Sequence, residues 1–195
     1  MKSEITQQEV TDFWIRVYFD TTSGLEIAAI KRAYRDLSRT LINFPKDENK
    51  KSSFREKWLI ALLPKIEEVR SKEFIDFVEF TIWHQSACYA LRTANDEYHL
   101  TQGQAQKWIN MTLKYLFAMG ESRVKGITKN YHHFHVPIDS IIMDKFQGFG
   151  IPKLEMPWSK IKDYDTYYSY QQLVRDTFKG KIPLDVEFKL FNQIG

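Results

Sequence analysis

An all-α fold follows from three features of the sequence. Apolar residues recur at three- and four-residue spacings in segment after segment, the period of a helix with one buried face. Short breaks rich in Gly, Pro, Ser, Thr and Asn separate those segments. No run alternates apolar and polar residues as strands do, and there is no internal repeat. At 195 residues the chain reads as a single all-helical domain, 1–195, large enough to bury a core, with room for two lobes, 1–95 and 96–195, around a cleft.

In the first segment, Val10, Phe13, Trp14, Val17 and Tyr18 fall at helical spacing before a Thr-Thr-Ser break and Gly24. The next repeats the pattern with Leu25, Ala28, Ala29, Tyr34, Leu37 and Leu41. Residues Pro45 to Ser53 are polar and lack apolar period; a solvated loop fits them better than a phosphate contact through Lys46, Lys50 and Lys51. The following helix should break or restart at Pro64. Residues Ser71 to Ala94, with Ser71 as cap and apolar groups nearly all round the later turns, are expected to form the most buried element. Thr101 and Gln104 make a capping box for the next helix, and Gly120 is its stop. Gly148, Gly150, Pro152 and Pro157 then break up a loop long enough to carry function. A tyrosine-rich helix through Arg175 and a short terminal helix opening at Pro183 complete the chain.

Composition narrows the function classes. A 43% hydrophobic and 27% charged chain suits a folded soluble protein. Its 15% aromatic content is better explained by core filling than by a stacking surface for bases. A net charge of +3 permits nucleic-acid binding without requiring it. Cys88 is the single cysteine, which excludes disulfide stapling and zinc–cysteine chemistry. No N-terminal segment resembles a signal peptide and no apolar run is long enough to span a bilayer, so a cytoplasmic location without membrane contact is expected.

Two stretches hold the candidate chemistry. The first is Tyr131 to Asp139, YHHFHVPID, with three of the five histidines. His132 and His133 are adjacent and diverge on most backbones, and Pro137 prevents one uninterrupted helix from presenting both His135 and Asp139. His84 and His99 are isolated, so no metal site is expected. The second is the helix after Thr101, where Gly103, Lys107, Asn110 and Lys114 form a stripe separate from the apolar side. A solvated face explains such a stripe on most amphipathic helices. Gly103 argues for more, because glycine weakens a helix and is kept where a backbone approaches closely or a turn is tight. Asp139, just after Pro137, reads by itself as a helix cap, and only together with Lys107 and the preceding Val136, Pro137 and Ile138 equally as a functional carboxylate. Trp158 is either a stacking surface or an anchor for its loop, and Arg175 either a phosphate contact or an ordinary ion pair.

Gly103 followed four positions later by Lys107, and then Val136, Pro137, Ile138 and Asp139, resembles the helix-hairpin-helix DNA glycosylase superfamily. The 32-residue separation of Lys107 and Asp139, and Lys114 seven positions after Lys107, are similar to the compact archaeal 8-oxoguanine DNA glycosylase branch. The resemblance covers roughly residues 100–145. It departs from the usual hairpin in lacking its proline and in placing Ala105 at the second glycine position.

The resemblance implies base excision with AP-lyase activity, a reaction of DNA repair, with Lys107 and Asp139 as catalytic residues. DNA contact is expected through Gly103, Gln104 and Lys114, joined by Lys125 and Lys129, because Lys107, Lys114, Lys125 and Lys129 fall within 23 residues whose one acidic member is Glu121. His135 and Trp158 are assigned to a substrate pocket by their polar and stacking side chains. Only a neutral amine is nucleophilic, so burial or a neighbouring positive charge such as Lys114 would have to favour that form of Lys107. The expectation is a monomer that binds DNA and uses no cofactor or metal. The alternatives are a non-enzymatic helical module that binds nucleic acid or another protein, and a histidine-dependent metal hydrolase.

Overall fold

The computed structural model describes residues 4–74 and 76–193. Eight α-helices account for its regular structure apart from three single helical turns, and there is no strand among the described residues. None of the helices is long and apolar enough to cross a membrane.

Helix α1 (Gln7–Tyr18) opens with a reciprocal capping box between Thr6 and Glu9. It buries only Ile15; Phe13, Trp14, Val17 and Tyr18, at the helical spacing seen in the sequence, stay exposed. Helix α2 (Leu25–Leu37) starts after Gly24, whose φ of 97° suits glycine alone. Its buried face of Ala28, Ala29 and Ala33 is small, which lets it pack closely along the central helix, α5.

Helix α3 (Glu48–Ser71) differs from expectation at both ends and in the middle. It begins inside the stretch read as a loop, because Asp47 caps it by accepting from Lys50 N at 2.8 Å. Lys50 and Lys51 are taken up in ion pairs with Glu97 and Glu48. Pro64 does not interrupt it. Trp58, Leu62, Ile66 and Val69 are buried on one side, while Pro64 is on the exposed side, where water can take the carbonyl it leaves free. Ser71 closes this helix instead of opening the next, its hydroxyl donating back to Glu67 O at 2.8 Å. Helix α4 (Phe77–Thr93) is capped by Asp76.

Helix α5 (Gln102–Met119), not α4, is the most buried element. The expected Thr101–Gln104 capping box opens it, and Gly120, at φ 89°, ends it. Helix α4 leaves Val78, Ile82 and Tyr89 in solvent, whereas α5 is buried on its polar stripe as well as on its apolar side. The connection from α5 onward is tied down by Asn130, which accepts from Phe74 N at 2.9 Å and donates to Val69 O and Lys72 O, both at 2.7 Å. Helices α6 (Ser140–Gln147), α7 (Tyr164–Thr177) and α8 (Pro183–Asn192) follow, the last opening at Pro183 as expected. Buried apolar residues form two clusters, one from Ile15 to Phe134 with Leu184 and the other from Val136 to Leu190, and Trp158 and Tyr164 pack against both.

Candidate active site

Lys107 and Asp139 meet. Lys107 lies in the second turn of α5, 4% exposed, and its Nζ donates to Asp139 Oδ2. Asp139 caps α6, and its other oxygen, Oδ1, accepts from Ile142 N at 2.9 Å. The cap reading is therefore realised by one carboxylate oxygen, and the other oxygen pairs with Lys107. The cap fixes the carboxylate plane, and the free face of the carboxylate meets the amine.

Two helical turns along α5, Lys114 is 6% exposed and donates to Glu187 Oε1 at 2.6 Å. Its Nζ also sits 4.8 Å and 4.6 Å from the ring centres of Phe188 and Phe191. Lys114 is enclosed by the protein's own groups, and Glu187 offsets the positive charge expected to act on Lys107. Burial raises the Glu187 carboxyl above its ordinary value, against the pull of Lys114. The second oxygen of Glu187 is buried without a hydrogen-bond partner.

Both pairs line one cavity of about 600 Å³, the size of a small-molecule or nucleotide site. Its wall also carries Trp158, Met111, Ser140, Ile141, Phe188 and Phe191, and its far side carries Tyr18, Arg32, Asp36 and Arg39. Arg32 pairs with Asp36 at 3.2 Å and lies 4.3 Å over the Tyr18 ring. Arg39 is exposed and has no carboxylate partner among the described residues. Four cations thus face three carboxylates, and Arg39 is the one left over.

Gly103 has a clear reason. A Cβ there would stand 1.8 Å from Trp158 O, and the Gly103 N–H donates to Ile161 O at 3.1 Å. Close approach of backbones, and not a free anion-binding turn, occupies this glycine, and it seats Trp158 on the cavity wall. Gln104 is 5% exposed; it completes the α5 cap and donates to Thr40 O at 2.8 Å.

No family model, curated protein or solved structure matches this chain.

The other sequence-selected residues are dispersed. His135 is 1% exposed and does not line the cavity; it packs 4.5 Å from the His84 ring and bonds Tyr167 Oη at 2.8 Å through Nδ1. Burial holds His84 and His135 well below the ordinary histidine value, His84 at about 3, so both are neutral core groups. Among the described residues no three His, Cys, Asp or Glu side chains converge as metal ligands would. Lys125 and Lys129 follow the end of α5 and line a separate surface depression with Glu67, Arg70 and Glu121. Arg175 packs 3.7 Å over the Phe77 ring and donates to His133 O at 2.7 Å.

Residues that the sequence did not single out complete the cavity: Tyr18, Arg32, Arg39, Glu187 and Phe191. Only the two arginines carried a signal, as basic residues spaced seven apart, Arg32 in α2 and Arg39 in the single helical turn that follows it.

Proposed function

We propose that this protein is a DNA glycosylase with AP-lyase activity, in which Lys107 is the nucleophile and Asp139 moves its protons. The observation that carries this is the Lys107–Asp139 contact on the wall of a nucleotide-sized cavity, made by two residues 32 positions apart. Aromatic side chains of Trp158, Phe188 and Phe191 offer flat surfaces to an extruded base, and Arg32 and Arg39 offer charge to its flanking phosphates.

The steps balance without a cofactor. Asp139 takes a proton from the Lys107 ammonium, and the amine lone pair attacks C1′ of the extruded nucleotide. The C1′–N bond breaks, its electron pair leaves with the base, and the base accepts the proton held by Asp139. The new C1′ ammonium returns a proton to the carboxylate. The nitrogen lone pair then forms the imine as the C1′–O4′ bond opens, and O4′ takes that proton. Asp139, a carboxylate again, takes a C2′ proton as the C3′–O bond breaks and the 3′-phosphate leaves with its electron pair, and water hydrolyses the imine to release the sugar from Lys107.

Borohydride reduction tests this directly by trapping the imine as a protein–DNA adduct, on duplexes carrying oxidised, deaminated or bulky modified bases. Lys107→Gln is expected to abolish trapping and retain DNA affinity. Equal excision by Lys107→Gln and the parent would show that Lys107 is not the nucleophile. The exposed aromatic face of α1 favours a second reading, a non-catalytic module that docks a partner there. Absence of DNA binding at low salt combined with binding of a protein partner would select it.

A further inference from the structure

The segment that delivers Asp139 is neither helix nor strand, yet Val136 and Ile138 within it are fully buried. Buried backbone N–H and C=O groups need partners, and no neighbouring strand supplies them. Two glutamine side chains do. Gln106 Nε2 donates to Ile138 O at 2.9 Å, and Gln106 Oε1 accepts from Ile138 N at 3.3 Å. Gln171 Nε2 donates to Val136 O at 2.7 Å, and Gln171 Oε1 accepts from Val136 N at 3.1 Å. Each amide engages both polar groups of one residue, as a partner strand would. Pro137, between them, has no N–H to satisfy.

The placement of the first clamp is informative. Gln106 precedes Lys107, and Ile138 precedes Asp139, so the clamp joins the neighbours of both site residues. Helix α6 packs chiefly on α8, so helix packing does little to set where α6 begins relative to α5. The amide of Gln106 is itself oriented: its Oε1 also accepts from Asn110 Nδ2 at 3.0 Å. Asn110 is held in turn by His84 Nε2 at 3.0 Å and Tyr167 Oη at 2.9 Å.

We propose that Gln106 is a positioning residue for the Lys107–Asp139 pair, setting the separation of amine and carboxylate by holding the Ile138 peptide. Gln171 is a second clamp, two residues further from the carboxylate. The catalytic meaning of the clamp rests on Lys107 acting as nucleophile; its effect on the ion pair does not.

Gln106→Leu frees both backbone groups of Ile138, and Gln171→Leu frees Val136 N while Val136 O keeps Asn110 Nδ2 at 3.4 Å, so both should lower the melting temperature, the first by more. Single-turnover trapping separates position from folding, because its amplitude counts intact sites and its rate constant reads geometry within them. Gln106→Leu is expected to lower the rate constant by about 30-fold or more, since a misplacement of order 1 Å can cost about 10². DNA affinity should stay within about threefold of the parent, and Gln171→Leu should lose less than about fivefold in rate, the lost group being more remote. Gln106→Glu keeps the shape and the acceptor for Ile138 N, and should recover part of the rate. A Gln106→Leu protein that loses amplitude alone, with an unchanged rate constant, overturns the positioning role.

A second measurement needs no catalysis. Reductive methylation with formaldehyde, followed residue by residue by mass spectrometry, reports how well Asp139 shields the Lys107 amine. Gln106→Leu should raise Lys107 labelling relative to Lys114 in the same molecule; an unchanged ratio overturns the clamp. If Gln106→Leu does not fold, Gln106→Glu is labelled in its place and should show a smaller rise in the same ratio. If the parent traps no DNA, Lys107 loses its role as nucleophile, and the labelling ratio alone decides the clamp.

Discussion

Lys107 and Lys114 are two turns apart on one helix, both buried and both paired with a carboxylate, yet their settings differ. Asp139 keeps 20% of its side chain accessible, has one oxygen committed to a helix cap, and presents the other at the cavity wall. Glu187 is 5% accessible, and its lysine is closed in by Phe188 and Phe191. A ligand in the cavity can exchange contacts with the first pair at little cost. Separating the second exposes two buried charges to an apolar surrounding. Two lysines on one face of a helix thus divide into an accessible pair and an enclosed one through access and the number of other bonds each carboxylate makes.

The largest expected effect tests the structural pair. Lys114→Met should cost about 3–5 kcal/mol in chemical unfolding at neutral pH, because it strands a buried carboxylate. The loss should shrink in acid, where Glu187 takes a proton instead of standing charged and alone. Adding Glu187→Leu should recover most of the stability, and a double variant as unstable as the single one would break the distinction between the two pairs.

Next is the accessible pair. Asp139→Asn keeps the cap but leaves the Lys107 ammonium without its carboxylate beside the open cavity, so unfolding free energy should fall by about 1–3 kcal/mol, less than for Lys114→Met. Single-turnover excision should nonetheless slow by about 10²–10³, the scale of losing one electrostatic partner of a transition state. A large stability loss with unchanged excision would reverse the roles assigned to Lys107 and Lys114.

Smaller again is the response to pH behind the site. His84 and His135 are neutral in the fold and held below the ordinary value of 6.5. The unfolded chain therefore binds more protons below that value, so their contribution is present above pH 6.5 and is lost as pH falls through the folded-state values, about 3 for His84 and well below 6.5 for His135. Each should add up to about 1.4 kcal/mol per pH unit to the slope of stability over that window. Unfolding curves at several pH values should show a flatter slope for His135→Phe; an unchanged slope would mean that His135 is already protonated in the fold. The Gln106 amide is anchored through Asn110 to His84, so acid loss of Lys107 trapping should track this transition.

Much of the helical layout was legible from short-range chemistry. The Thr101–Gln104 box, the Gly120 stop and the Pro183 start all mark real helix ends. The misread boundaries are competitions between local signals. Ser71 has the chemistry of a cap, but Asp76 takes that role, and Ser71 back-bonds to the preceding turn. Pro64 signals a break, but four buried side chains on the opposite face carry the helix through it. The stripe of Gly103, Lys107, Asn110 and Lys114 was visible as a stripe. Its burial was not, because two lysines at that spacing look the same on a solvated face.

What the sequence determined by itself is therefore most of the helices, a few of their caps, and the residue types that sit near one another along a helix. Those depend on interactions over three or four positions. Burial and partnership were decided only by tertiary structure. Helix α1 carries Phe13, Trp14 and Val17 at helical spacing yet leaves them in solvent, because it meets the rest of the protein through Ile15, Tyr18 and Asp12, whereas α5 has α2 and α4 along its sides. Lys114 finds Glu187 across 73 positions, and Gln106 finds the Ile138 peptide across 32. Hydrogen bonds and ion pairs act over a few ångströms, so groups that far apart in the chain acquire their partners only once packing has set the helices side by side.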